Sequence, residues 1–346
     1  LQSCIVPVKN GGELLGLCLE SILHQEFCEQ YEVCVYNDGS TDNTESTIRH
    51  YASRFAAKGI RFRHSSRDES GGVGFAKNCA VSLASGRFLC FCDADDVSFP
   101  MRLRLLYEAV FSSSCPDLVL AGSRITRDPP ESTARFTRWA NEMVSQRLPL
   151  QIYTSHGPSL VAPSWFVAMK LFNSVGGFNE KELWGFPEDL DFFYRALDLN
   201  AVLVKVDESL VLYRYHPGCA TFTVAEETIW QIRQARLEKK VLGLWENFTI
   251  WSAGKQGKRF YKTLSDASKA KVTAFCDVDA KKLRRGFFED FDESTRSVRA
   301  RIPIIETRRA RPPLVICVKQ DLTNGDLERL IEESRLVEGV DYIHFG

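Results

Sequence analysis

Short apolar runs alternate with helix-period stretches through the first ninety residues, and that alternation constrains the fold more than any other feature. Cys4 to Val8 reads as a buried strand, and Leu14, Leu15, Cys18, Leu19, Ile22 and Leu23 then recur at helical spacing. Tyr31 to Tyr36, Ile60 to Phe62 and Phe88 to Cys92 read as further strands, each separated from the last by a helix. Strands joined through helices pair in parallel, because a parallel neighbour needs a crossover connection. The expected fold is therefore α/β, with a mostly parallel, Rossmann-like sheet flanked by helices on both faces. Ligands on such sheets bind beyond the carboxyl ends of the strands, so the loops there are where chemistry is to be sought.

At 346 residues, 44% of them hydrophobic, the chain is long enough for two folded units. No run of about 18 apolar residues occurs, which predicts no membrane partner. The eleven cysteines form no C-x-x-C pair, and Cys34, Cys90, Cys92 and Cys317 sit inside apolar runs. Reduced, buried thiols and a cytoplasmic location are the expectation. The sequon Asn247-Phe248-Thr249 is a weak signal in such a chain.

Two loops are rich in carboxylates. The second strand runs into Asn37-Asp38-Gly39-Ser40-Thr41-Asp42, and the fourth into Asp93-Ala94-Asp95-Asp96. A turn with an ordinary helix cap accounts for the first. The second holds three carboxylates within four residues, which repel one another unless they are solvated or bound to a cation. Oxygen-only ligands suit Mg2+ or Mn2+ better than zinc. A third acidic pair, Glu188-Asp189, opens an amphipathic helix after Trp184-Gly185-Phe186-Pro187. Acids are common in a first helical turn because they favour the helix dipole. The aromatic loop in front of this pair, suited to stacking on a sugar or base, is what marks it out.

Val6-Pro7-Val8-Lys9-Asn10, Asn37 to Asp42, Gly71-Gly72-Val73-Gly74-Phe75-Ala76-Lys77-Asn78, Asp93 to Asp96, Gly176-Gly177-Phe178-Asn179 and Pro187-Glu188-Asp189 occur in this order. In order and spacing they resemble the family 2 glycosyltransferases of the GT-A fold, over about residues 1 to 245. The resemblance implies a metal-dependent, inverting transfer from a UDP-sugar, with Mn2+ or Mg2+ as cofactor. It implies that Asp95, Asp93 and His216 of Tyr213-Arg214-Tyr215-His216 hold the metal. Val6, Pro7, Asp38, Gly72, Lys77, Asp93, Ala94 and Asp95 then line the nucleotide side. Asp189 is implied as the catalytic base, and Glu188 as its support or as a group that orients the acceptor.

Residues 246–346 read as a smaller C-terminal α/β, Rossmann-like unit. Phe248 to Trp251 is a strand, Ser252-Ala253-Gly254-Lys255-Gln256-Gly257 a tight turn, Lys258 to Ala270 a helix and Lys271 to Cys276 a strand ending in Asp277. Leu314 to Val318 and Asp326 to Arg335 supply a third strand and a last helix. The turn imitates a dinucleotide fingerprint, but Ser252 replaces its first glycine. From Lys255 to Arg311 the chain holds sixteen Lys/Arg against eight Asp/Glu, which predicts an anionic partner, with Lys281, Lys282, Arg284 and Arg285 as the expected contact. The full layout, with Ala310-Arg311-Pro312-Pro313, is similar to that of tRNA-modifying galactosyltransferases. That similarity implies UDP-galactose as donor, queuosine in the tRNA anticodon as acceptor, and tRNA binding by residues 246–346. A UDP-sugar transferase acting on a glycan, lipid or protein, and a non-catalytic nucleotide- or RNA-binding module, are the alternatives.

Overall fold

The computed structural model describes residues 1–154, 157–181, 185–320 and 322–346. The chain forms two compact units, Leu1–Pro149 with His156–Ile229, and Leu150–Ser155 with Trp230–Gly346. Among the described residues no helix is long and apolar enough to cross a membrane. All eleven cysteines are free thiols.

In chain order the first unit contains β1 (Gln2–Val8), α1 (Gly12–Leu23), β2 (Tyr31–Asp38), α2 (Thr44–Ala57), β3 (Arg61–Arg67), α3 (Val73–Ser82), β4 (Phe88–Phe91) and β5 (Val97–Ser98). It continues with α4 (Arg102–Phe111), β6 (Val119–Asp128), α5 (Ala134–Glu142), β7 (Phe166–Ala168), α6 (Met169–Val175), α7 (Glu188–Asp198) and β8 (Val202–Arg214). The sheet order is β3-β2-β1-β4-β7-β6-β8-β5. The pairs β3-β2, β2-β1 and β1-β4 are parallel, as the strand–helix alternation requires. Two short strands the sequence does not announce, β7 and β5, join antiparallel to their neighbours.

Every residue of β2 is buried, and its first six, Tyr31 to Tyr36, read as an apolar run interrupted only by Glu32. The stripe Leu15, Cys18, Leu19, Ile22 and Leu23 seats α1 on the sheet. The edge strand β3 extends beyond the expected Phe62 through His64, Ser65 and Ser66 to Arg67, a largely exposed stretch with no apolar signal to read. Charged side chains on such an edge discourage pairing with another chain. The rings of Phe172, Phe178 and Phe192 pack together, with the Phe178 and Phe192 centroids 4.7 Å apart, and Trp165 packs against Phe192 and Phe193. These contacts fix α7, and with it the acids at its start. Such pairs contribute about 0.5–1.5 kcal/mol each beyond the area they bury.

The second unit takes in the end of α8 (Glu226–Leu237), then β9 (Phe248–Trp251), α9 (Lys255–Thr263), α10 (Asp266–Lys269), β10 (Val272–Asp277), α11 (Ala280–Arg285) and β11 (Phe287–Asp292). It closes with β12 (Ser297–Glu306), β13 (Leu314–Ile316), α12 (Asp326–Glu333) and β14 (Tyr342–His344). Five parallel strands run β12-β10-β9-β13-β14, with β11 antiparallel on the edge. Numbered from β9 along the chain, that is the Rossmann order 3-2-1-4-5. The single helix expected from Lys258 to Ala270 is instead two, because the Ser265 side chain accepts the Ser268 N–H and starts a new turn.

A close approach shapes the turn between β9 and α9. A Cβ on Gly257 would lie 1.9 Å from the Ser252 carbonyl oxygen, so only glycine fits there. Ser252, in the first-glycine position, holds φ at +110°, a backbone region that side chains rarely adopt. Thr249 of the sequon is buried within β9.

Candidate functional site

The two acidic loops follow the carboxyl ends of β2 and β4, the strands on either side of β1. β4 pairs with β1 only as far as Ile5, so Pro7 lies beyond the last rung on that side and costs the ladder no donor there. The Val6 side chain is fully buried in the core, which leaves its backbone as the part able to meet a ligand.

Asp38 is buried at the end of β2, where its carboxylate organises the glycine-rich loop. It accepts from Ser70 Oγ at 2.7 Å, from the Gly71 N–H at 2.8 Å and from the Gly72 N–H at 3.1 Å. Among the described residues its Oδ1 takes only the Gly71 N–H and keeps a lone pair. Gly72 then opens α3 at φ +90°. A Cβ on Gly74 would lie 2.3 Å from the Asn179 carbonyl oxygen, so the helix passes hard against the segment that precedes the α7 acids. Asn78 locks that approach from the same helix: its Nδ2 donates to the Phe178 carbonyl and its Oδ1 accepts the Phe178 N–H, both at 2.9 Å. Two glycine motifs a hundred residues apart are thereby one structural element.

Lys77 lies on this stretch of α3, nearly buried, and its Nζ donates to Glu188 Oε1 at 2.7 Å. The ammonium thus lies beside Glu188, Asp93 and Asp189. Burial works against its charge, but Glu188, Asp93 and Asp189 outweigh burial and hold the ammonium above its ordinary pKa. Asp189 behaves oppositely. Burial first and Glu188 second push its carboxyl up to about 7, against the pull of Lys77, while its Oδ1 accepts the Leu190 N–H at 2.7 Å. Burial likewise raises Asp93 to about 6, with Asp95 and Glu188 adding to the rise and Lys77 opposing it. A carboxyl group with a pKa near 7 in such a cluster suits proton transfer. Trp184 of the aromatic loop lies outside the described residues.

The three aspartates of the β4 loop have distinct surroundings. Asp96 is buried, accepts the Arg214 N–H at 2.9 Å through Oδ1 and has no partner on Oδ2; burial drives its carboxyl well above the usual range. Ala94 is half-buried in the bend between Asp93 and Asp95. Asp95 Oδ2 lies 3.0 Å from His216 Nε2, and its carbonyl accepts from the Arg214 guanidinium at 3.0 Å. Cys219, which is not among the ligands expected from the sequence, is buried beside them. Its Sγ accepts the His216 N–H at 3.2 Å and its thiol donates to the Arg214 carbonyl. The donor atoms of Asp95, His216 and Cys219 all lie within 4.8 Å of one another. The spacing His216-x-x-Cys219 was the only available signal for it.

This arrangement fits a divalent cation. Two ligand atoms 3.0 Å apart match neighbouring corners of a shell with bonds of about 2.1 Å. The Gly218 N–H to His216 Nδ1 contact, 3.2 Å long, places the ring proton on Nε2, so an ion and that proton compete for one nitrogen. Asp93 falls outside this three-residue group.

The model described as Glycosyl transferase family 2 matches residues 3–176. An uncharacterized glycosyltransferase of Rickettsia felis is 28% identical over 226 residues, 62% of this chain, and the chain spans about a third (34%) of that relative's length. Glycosyltransferase GlyG of Streptococcus pneumoniae is 25% identical over 227 residues, 63% of this chain and 72% of its own. Among solved structures, residues 1–349 of TarS from S. aureus in complex with UDP-GlcNAc superpose with a TM-score of 0.56, at 20% identity, over 68% of this chain and 66% of that one.

Proposed function

The chain belongs to glycosyl transferase family 2 and has the GT-A fold, and on that premise we propose that its first unit moves a sugar from a UDP-sugar to an acceptor hydroxyl with inversion at the anomeric carbon. The observation that carries the mechanism is Asp189, a carboxyl raised to about 7 in the same acid–lysine cluster as Asp93. In this reading Asp189 takes the acceptor's proton as the acceptor oxygen bonds to the anomeric carbon, and the bond from that carbon to the diphosphate breaks. Glu188, tied to Lys77, keeps the lysine beside Asp189, so the base ionises near neutral pH. Asp95 and His216 hold Mn2+ or Mg2+, with Asp93 facing the ribose side; the ion, when bound, supplies positive charge for the departing diphosphate. Asp38 fixes the Gly71-Gly72 loop beside the uracil, and the backbone at Val6, Pro7, Gly72 and Ala94 lines the nucleotide.

For donor and acceptor the finer proposal is galactose from UDP-galactose to queuosine at the wobble position of tRNA, with residues 246–346 as the tRNA-binding domain. The resemblance of the whole chain, second unit included, supports it. A second reading, transfer of N-acetylglucosamine to a glycan, draws support from the UDP-GlcNAc held by TarS. A panel of UDP-sugars with Mn2+, tested with queuosine-containing tRNA and with oligosaccharides, separates the two. Proton NMR of the product checks the stereochemistry: a β-linked sugar from the α-linked donor is expected, and an α linkage would refute the single displacement. UDP release in neither case would leave a non-catalytic module.

A further inference from the structure

On the second unit, α9 and α11 border an open groove of about 580 Å³ lined by Lys255, Lys258, Arg259, Lys262, Arg285 and Phe288. Lys255, Lys258 and Lys262 follow one another at helical spacing on one face of α9. None of these three, nor Arg285, has a carboxylate within 4 Å among the described residues. Three cations elsewhere on this unit are paired: Lys282 with Asp277 at 2.8 Å, Arg301 with Glu289 at 2.7 Å and Arg308 with Glu333 at 3.6 Å. Like charges crowded together without a counter-ion destabilise a fold unless an anion joins them.

Two further observations point the same way. Lys258 is partly buried, and burial, then Arg285 and Lys282, hold its ammonium below the ordinary lysine pKa, with Asp277 opposing. The first turn of α9 contains no acid and begins with Lys255, so a positive side chain adds to the positive end of the helix dipole.

The shape of the charge selects the occupant. From Lys255 to Lys262 the helix rises about 10 Å, longer than one phosphate. The Rossmann strand order suggests a dinucleotide instead, but Asp277, at the end of the second strand where a ribose hydroxyl would bond, is already bonded to Lys282 Nζ and to the Ala253 N–H, each at 2.8 Å. We propose that this groove holds consecutive backbone phosphates of RNA, the acceptor's own, an inference that rests on the RNA-acceptor reading above. The cluster expected from the sequence is thereby divided: Arg285 belongs to the groove, Lys282 is taken by Asp277, and Lys281 and Arg284 are exposed outside its lining.

The test measures binding of an unmodified tRNA transcript to the full chain at several salt concentrations. Lys258→Glu, Lys262→Glu and Arg285→Glu together should weaken binding more than tenfold and flatten the salt dependence by about two to three ions. Reversing Arg299, Arg301 and Arg308, the same change in net charge, should weaken it less than threefold. The milder set Lys258→Gln, Lys262→Gln and Arg285→Gln should fall between, and guards against misfolding. Equal effects from the two reversal sets, or no binding by the unaltered chain, overturns the groove. If the groove variants lose tRNA as expected but the unaltered chain transfers no galactose to queuosine-containing tRNA, the groove stands and the acceptor reading fails.

Discussion

The acid cluster of the first unit and the cation groove of the second are both crowded with like charge, yet they are built differently. Around Asp189 the chain crowds half-buried carboxylates against one another and sets Lys77 among them, its position fixed by an ion pair to Glu188 and by the packing of α3. The groove instead carries long side chains on a helix surface, with no hydrogen bond to fix Lys255, Lys262 or Arg285 among those described. Transfer chemistry needs atoms held to within tenths of an ångström, whereas a phosphate backbone needs only potential. Hydrogen-bonded, half-buried crowding marks the first, and exposed crowding the second.

Substitution should separate the two most sharply at the base. Asp189→Asn should lower turnover by about 10²–10⁴-fold, the range typical of a lost general base, while UDP binding measured by calorimetry stays within a few-fold. The same variant should melt higher than the parent at pH 8. A carboxyl whose folded pKa is raised stabilises the fold below the unfolded value and loses that contribution as pH rises through about 7. A lower melting temperature at pH 8 would show that Asp189 is structural.

Asp95→Asn comes next, with a loss of about 10²-fold or more if one ligand of the ion is removed. Activity of the parent should vanish in EDTA and return with Mn2+. Full activity of the variant at saturating donor and Mn2+ would remove Asp95 from the site. By contrast, EDTA should leave tRNA binding at the groove untouched.

Smaller effects test the electrostatics. Since the base works ionised, kcat/KM should fall tenfold per pH unit below a midpoint near 7 and level off above it. Lys77→Met removes the cation that opposes the rise at Asp189, so the midpoint should move to higher pH. An unmoved profile would mean that Asp189 is not the group titrating. The smallest effect concerns Asn78→Ala, which breaks two hydrogen bonds to Phe178 and should cost about 1–3 kcal/mol in denaturant unfolding.

Much of the first unit was legible because its chemistry lies where strands end. β2 and β4 open as apolar runs, and the acids that follow them stand out against that background. The Lys77–Glu188 pair was not legible, because 111 residues separate its partners, and it takes the folded contacts of Gly74 with Asn179 and of Asn78 with Phe178 to bring them together. Cys219 was hidden for another reason: its thiol acts on backbone groups of His216 and Arg214, and such contacts leave no pattern of residue types. In the second unit, β11 and β12 went unread because Glu289, Asp290, Asp292, Arg299 and Arg301 fill an exposed hairpin with charge. The strand order there was equally invisible, since periodicity identifies strands but not their neighbours.

The Asn78 carboxamide imitates one rung of a β-ladder, donating to and accepting from the backbone of Phe178, in a segment that has no strand of its own. A side-chain amide is thus a movable hydrogen-bonding unit, free to register a loop against a helix where backbone cannot reach. Its consequence is mechanical. The helix that the glycine loop opens is fastened to the acids' side of the site twice, by this amide and by the Lys77–Glu188 ion pair, so a displacement of the loop seated on Asp38 reaches the helix bearing Asp189 along both.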